Sequence, residues 1–130
     1  MNVEPNSDIE YLTSENLKEL PFSAAVRVGR MLYLSGQIGI DASSKLVLGG
    51  ISAETRQAME NIKVVLEQNG SSLNHVVKAT VMLADMSEWS DMNKVYTTYF
   101  DKHLPARSAL GANGLAMGAR VEIECIAVLQ

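Results

Sequence analysis

Two kinds of side chain in this sequence stand where they could do chemistry on an anion or on water. Arg107 follows Pro105-Ala106 and opens a short extended piece, residues 107–110. A guanidinium fork can hold a carboxylate through two parallel, charge-assisted hydrogen bonds, an orientation that the point charge of a lysine does not impose. Taken alone, Arg107 also fits an ordinary solvated surface arginine. Glu122 and Glu124 share one side of the last strand-like segment with Arg120, and a carboxylate there can position or activate water. Taken alone, those three also fit a charge ladder on a polar strand face.

The other candidates read as structure. His75 and His103 are the only histidines, and neither shares a ligand spacing with Cys125 or a carboxylate pair, so no metal site is expected. Cys125, the single cysteine, lies on the apolar side of its strand, which suits a buried thiol rather than a nucleophile. Ser35-Gly36 lacks the Gly-x-Ser-x-Gly setting of a nucleophile elbow. Gly111, Gly114 and Gly118 do not match a dinucleotide-binding loop and do not open a helix.

These residues need a scaffold, and the bulk numbers bound it. A chain of 130 residues, 47% hydrophobic and 20% charged, suits one domain with a single core. Residues 9–130 are expected to form that domain. Residues 1–8, MNVEPNSD, have neither a basic n-region nor an apolar h-region and read as a loose arm, so the cytoplasm is the expected location. No apolar run is long enough to span a bilayer, so no membrane partner is expected. A net charge of −4 without a Lys/Arg cluster makes nucleic acid a poor partner. One cysteine excludes an internal disulfide and suits a reducing compartment.

Periodicity supplies the elements. Residues 9–13 and 20–28 read as extended, and Gly29-Arg30 turns the chain into a strand at 31–35, giving a hairpin. Residues 41–45 and Gly49-Gly50 mark loops. A helix is expected over 52–69, with Ser52 as N-cap, Glu54 favouring the dipole and Gly70 at the left-handed C′ position. Its apolar stripe is Ala58, Met59, Ile62, Val65 and Leu66. Residues 76–83 form a strand with Val77, Ala79, Val81 and Leu83 on one face. A second helix is expected over 87–102, its stripe running from Trp89 through Met92, Val95, Tyr96 and Tyr99 to Phe100, with Pro105 beyond it. The last strand, 120–129, puts Val121, Ile123, Cys125, Ala127 and Leu129 on one face.

The result is an α+β domain, one mixed sheet with two helices on one face. Two helices cannot cover both faces of such a sheet. The other face would carry Met31, Tyr33, Val76, Met82, Ile126 and Val128 among Lys78, Thr80, Glu122 and Glu124. Its apolar part needs cover, so a homo-oligomer is expected.

Three separated motifs then point to a family. Leu34-Ser35-Gly36-Gln37-Ile38, Pro105-Ala106-Arg107-Ser108 and Val121-Glu122-Ile123-Glu124-Cys125-Ile126-Ala127 resemble the reactive intermediate deaminase (RidA, or YjgF) family. Pro21-Phe22-Ser23 is similar to its Pro-aromatic-Ser element and residues 93–100 to its second helix, so the likeness runs from about residue 9 to the end. The resemblance implies a chorismate-mutase-like (YjgF-like) fold and a homotrimer with clefts between subunits. It implies hydrolysis of 2-imino and 2-enamino acids to 2-ketoacids and ammonia, an enzyme working without metal or organic cofactor. By the same match Arg107 clamps the substrate carboxylate, Glu122 partners the attacking water, and the backbone at Ala109 assists. Ser35, Gly36 and Asn93 line the cleft and Phe22 closes over it. Two departures stand out: Phe22 where many members have tyrosine, and Ala109 where many have cysteine. A non-catalytic trimer that binds a carboxylate metabolite is the alternative; ribonuclease or translation-inhibitor activity is disfavoured by the acidic charge and the lack of a histidine pair.

Overall fold

The structure, a computed structural model, describes residues 8–13 and 19–130. Of the arm expected at 1–8, all but Asp8 lies outside the described residues. The strands are β1 (Ile9–Leu12), β2 (Ala25–Val28), β3 (Met31–Ile38), β4 (Val76–Leu83), β5 (Ala106–Gly111) and β6 (Val121–Val128). They form one sheet in the order β1-β2-β3-β6-β4-β5, in which β4 and β5 run parallel and every other pair is antiparallel. Helices α1 (Gly50–Gln68) and α2 (Trp89–Tyr96) cover one face, and the core lies between them and the sheet. Leu32, Leu34, Val81, Leu83, Val121 and Ile123 meet Met59, Ile62, Leu66 and Met92 there.

Several expectations need correcting. Helix α1 starts two residues earlier than Ser52, from Gly49 in a left-handed conformation (φ 117°), with no side-chain cap. Glu54 is therefore past the first turn and does not serve the dipole. It is buried, 6% exposed, and its Oε1 accepts the backbone N–H of Arg120 at 2.9 Å. The C-terminus is as read: Gly70 is left-handed (φ 82°), and the Ser71 N–H returns to the Leu66 carbonyl at 2.9 Å.

In β4 the expected alternation fails at the first residues. The register against β6 shifts between Val76 and Lys78, so one extra residue enters the strand. Val76 is buried in the core and Val77 is exposed, the reverse of the reading by strict alternation. Strand β3 continues past Ser35 to Ile38, through a second register shift between Leu34 and Gln37. The second helix is shorter than 87–102. The α-helical part spans Trp89–Tyr96, with single 3-10 turns at Met86–Glu88 and Thr97–Tyr99 on either side. Asp85 caps the leading turn, its carboxylate accepting the Ser87 N–H at 2.9 Å. Residues 107–110 prove to be part of a full edge strand, β5.

The pairing register defines the helix-free face in rows. Ile9, Val28, Met31 and Val128 make an apolar row, and Tyr11, Val26, Tyr33, Ile126 and Lys78 make the next. Ser108, Thr80 and Glu124 follow, then Leu110, Met82, Glu122 and Ile38. Tyr11, Val28, Tyr33 and Leu110 are all exposed in the single chain.

Candidate active site

Arg107 sits second in β5, paired with Ala79 of β4, and Ala79 faces the core. Arg107 therefore projects to the helix side, at the open edge of the sheet. There it meets one stripe of α2. Its Nη1 donates to Asn93 Oδ1 at 2.6 Å, and its guanidinium carbon lies 4.9 Å from the Tyr96 ring centroid and 5.7 Å from that of Trp89. Trp89, Asn93 and Tyr96 are spaced i, i+4, i+7, which puts them on one helix face. Two aromatic faces and one amide thus fix a side chain that would otherwise sample many rotamers. Among the described residues no other group bonds the guanidinium, which leaves Nε and Nη2 to receive an anion. A cleft of about 280 Å³ opens beside it, lined by Asn93, Tyr96, Thr97, Leu104, Pro105 and Arg107.

The hydroxyl of Tyr96 is buried and has no hydrogen-bond partner among the described residues. Burial pushes the phenol up from its ordinary 10.0, Arg107 nearby works in the opposite direction, and Cys125 adds to the rise. Since the ring does the work beside Arg107, Tyr96→Phe is expected to leave the arginine in place. It should hold or raise stability, by up to about 1 kcal/mol, because it removes a desolvated hydroxyl with nothing to bond. Chemical denaturation is the measurement, and a loss of stability would mean that the hydroxyl has a partner after all.

Ala109, two residues on, pairs with Val81 and also faces the core. Glu122 is elsewhere. It pairs with Met82 on one side and Ile38 on the other, on the helix-free face. Arg107 is level with Cys125 through Ala79, three residues from Glu122 along β6. The two residues are therefore about 10 Å apart along the strands and about 10 Å across them, with side chains on opposite faces. Of the remaining sequence candidates, one adjoins Glu122. Gly36 packs against the Glu122 carboxylate. Ser35 Oγ donates to the Ser23 carbonyl at 2.6 Å, pinning the segment that carries the half-exposed Phe22. The structure thus brings Arg107 and Asn93 together on the helix side with Ala109 nearby in β5, and sets Gly36 against Glu122 on the other face, with Ser35 next to Gly36 in the chain and, among the described residues, Phe22 brought to neither group by any contact.

The sequence reading missed Trp89 and Tyr96 as site residues. Their positions in an apolar helical stripe hid them, although the i, i+4, i+7 spacing around a polar Asn93 was visible. Among the described residues no group of three or more His, Cys, Asp or Glu side chains is arranged to hold a metal ion. No helix among them is long and apolar enough to cross a membrane.

The family described as Endoribonuclease L-PSP matches residues 13–129. The chain belongs to that family. Within it, a Mus musculus protein named 2-iminobutanoate/2-iminopropanoate deaminase is 50% identical over 109 residues, covering 83% of this chain and 81% of its own. The Homo sapiens protein of the same name is 44% identical over 109 residues, covering 83% of this chain and 80% of its own. These relatives bear out the RidA/YjgF resemblance drawn from the three motifs. A crystal structure of RidA from the Antarctic bacterium Psychrobacter superposes with a TM-score of 0.82 at 36% identity, over 94% of this chain and 98% of that one. Escherichia coli TdcF, solved with bound serine, superposes with a TM-score of 0.79 at 30% identity, over 85% of this chain and 89% of that one. The single mixed sheet with two helices is the expected architecture, and among the described residues it holds six strands, one more than the five read from the sequence, because residues 107–110 pair as β5.

Proposed function

We propose that this protein hydrolyses 2-imino acids, and the 2-enamino acids that tautomerise to them, to 2-ketoacids and ammonia. The observation that carries the reading is Arg107, fixed between Trp89, Tyr96 and Asn93 at the mouth of a cleft. It occurs in a chain that is 50% identical, over 109 residues, to a named 2-iminobutanoate/2-iminopropanoate deaminase.

The chemistry follows from the substrate. Its carboxylate docks on the free donors of Arg107, which fixes the adjacent C=N carbon in space. A protonated imine carbon is electron-poor, so water can add to it without a metal or an organic cofactor. Glu122 aims that water and accepts its proton, while the nitrogen of the adduct takes up a proton and leaves as ammonia. The carbon–nitrogen bond breaks as the adduct's hydroxyl releases its remaining proton to solvent and the C=O bond forms, giving the ketoacid.

One chain holds Arg107 and Glu122 on opposite faces, so a site containing both draws them from two copies. The uncovered apolar rows supply a surface for such a copy. The working form is a homotrimer with a cleft at each subunit boundary, and residues 9–130 of each copy act as one domain. The reduced, buried Cys125 suits a cytoplasmic setting. The family's endoribonuclease description gives RNA cleavage as the competing reading, but the cleft is lined by one arginine and no histidine, in a chain of net charge −4.

The test generates 2-aminoacrylate in place with a serine dehydratase and follows ketoacid and ammonia release. The assembled protein is expected to accelerate release. Unchanged release at every protein concentration would discard the deaminase reading.

A further inference from the structure

Gly36 lies in the register shift that interrupts β3 between Leu34 and Gln37, across from β6. A methyl group built on Gly36 would overlap Glu122 Oε2, and would fall 2.8 Å from Cδ and 3.0 Å from Cγ of the same side chain. The outer half of Glu122 therefore lies flat over the Gly36 backbone, in the space a side chain would fill. Backbone conformation does not demand glycine here. Gly36 is not among the residues with positive φ, unlike Gly29, Gly49 and Gly70, so an alanine can adopt its φ and ψ. The three nearest atoms that a side chain would meet all belong to Glu122. Among the described residues no hydrogen-bond donor holds the Glu122 carboxylate, and it takes part in no ion pair. Shape is then what orients it.

We propose that Gly36 is a positioning residue, whose missing side chain forms the seat in which the Glu122 carboxylate lies and so sets where that carboxylate aims water. The proposal rests on the deaminase reading given above. It assigns Gly36 a role through Glu122 rather than through contact with substrate, and it separates two tasks by face. The Arg107 cleft binds the acid end of the substrate. The Gly36 seat on the other face governs the water of a neighbouring copy's site.

The experiment is Gly36→Ala in the full-length oligomer, alone and combined with Glu122→Gln. The single variant is expected to lower kcat by about 10- to 100-fold, since displacing a catalytic group by about 1 Å costs that order of rate. KM should move little, because Arg107 is untouched. In the Glu122→Gln background the same substitution should add less than about threefold, the non-additivity of two changes acting through one group. A full additional loss in that background, a rise in KM with kcat unchanged, or no loss in the single variant would each overturn the proposal. Should Gly36→Ala fail to assemble, Glu122→Ala is added to vacate the seat. The double variant is expected to assemble, and its failure would place the clash elsewhere and sink the idea. A readout independent of activity is the carboxyl carbon resonance of Glu122, assigned by its disappearance in Glu122→Gln. Gly36→Ala should shift it, and an unmoved resonance would overturn the seat even if the deaminase reading stands.

Discussion

Arg107→Ala is expected to lower kcat/KM for the imine by about a hundredfold to ten-thousandfold. Two charge-assisted hydrogen bonds to the substrate carboxylate are lost, each contributing about 1.5–3 kcal/mol, and every 1.4 kcal/mol is about tenfold. Arg107→Lys should recover little of this. An ammonium lacks the fork that orients a carboxylate, and it would sit less well between the faces of Trp89 and Tyr96, which lie 5.7 and 4.9 Å from the guanidinium carbon. Steady-state ammonia release across substrate concentrations measures the effect. Activity in Arg107→Ala within threefold of the parent would remove Arg107 from the site while leaving the reaction itself open.

A second large effect comes from mixing two dead proteins. Arg107→Ala and Glu122→Gln, each assembled alone, should be nearly inactive. Coexpressed so that chains assort at random, they should regain about a quarter of the parent's activity per site. In a closed ring each site then takes an intact arginine from one chain and an intact glutamate from its neighbour one time in four. The argument depends on the pairing register, which puts the two side chains on opposite faces of one sheet. Mixed oligomers no more active than the parental variants would mean that each site draws both residues from a single chain. The sheet would then have to rearrange to bring them together.

Much of this was legible in the residues. The two helices and their core stripes follow from apolar spacing, and the helix-free face was read nearly correctly from alternation along β6. Val76 was misplaced because a one-residue insertion reverses every side chain before it, and no residue type in Val76-Val77-Lys78 announces a bulge. Glu54 was read as serving the helix dipole because its partner is a backbone N–H 66 positions away, and such pairings leave no trace in local sequence. Arg107 and Glu122 were identified from motifs, yet their separation was hidden. It depends on strand order, β6 beside β4 beside β5, and on the parity of a short edge strand. The aromatic bracket around Arg107 was overlooked for a related reason: Tyr96 is a core residue and a site residue at once.

Cys125 gives the fold a clock of its own. The thiol is 4% exposed, and burial pushes it from an ordinary 9.0 up to about 12, with Glu124 adding to the rise. It lies at the centre of the sheet, on a strand paired on both sides. A thiol-specific reagent therefore reacts only in moments when β6 has come away from its neighbours, and its rate counts those moments. The sign of the pH effect is fixed as well. Above about pH 9 the unfolded thiol ionises while the buried one stays protonated, so the unfolded state binds fewer protons. This group's contribution to stability is full below that pH and declines from there toward about 12, the value in the folded chain. With one cysteine per chain, the count comes from a single known depth in the core.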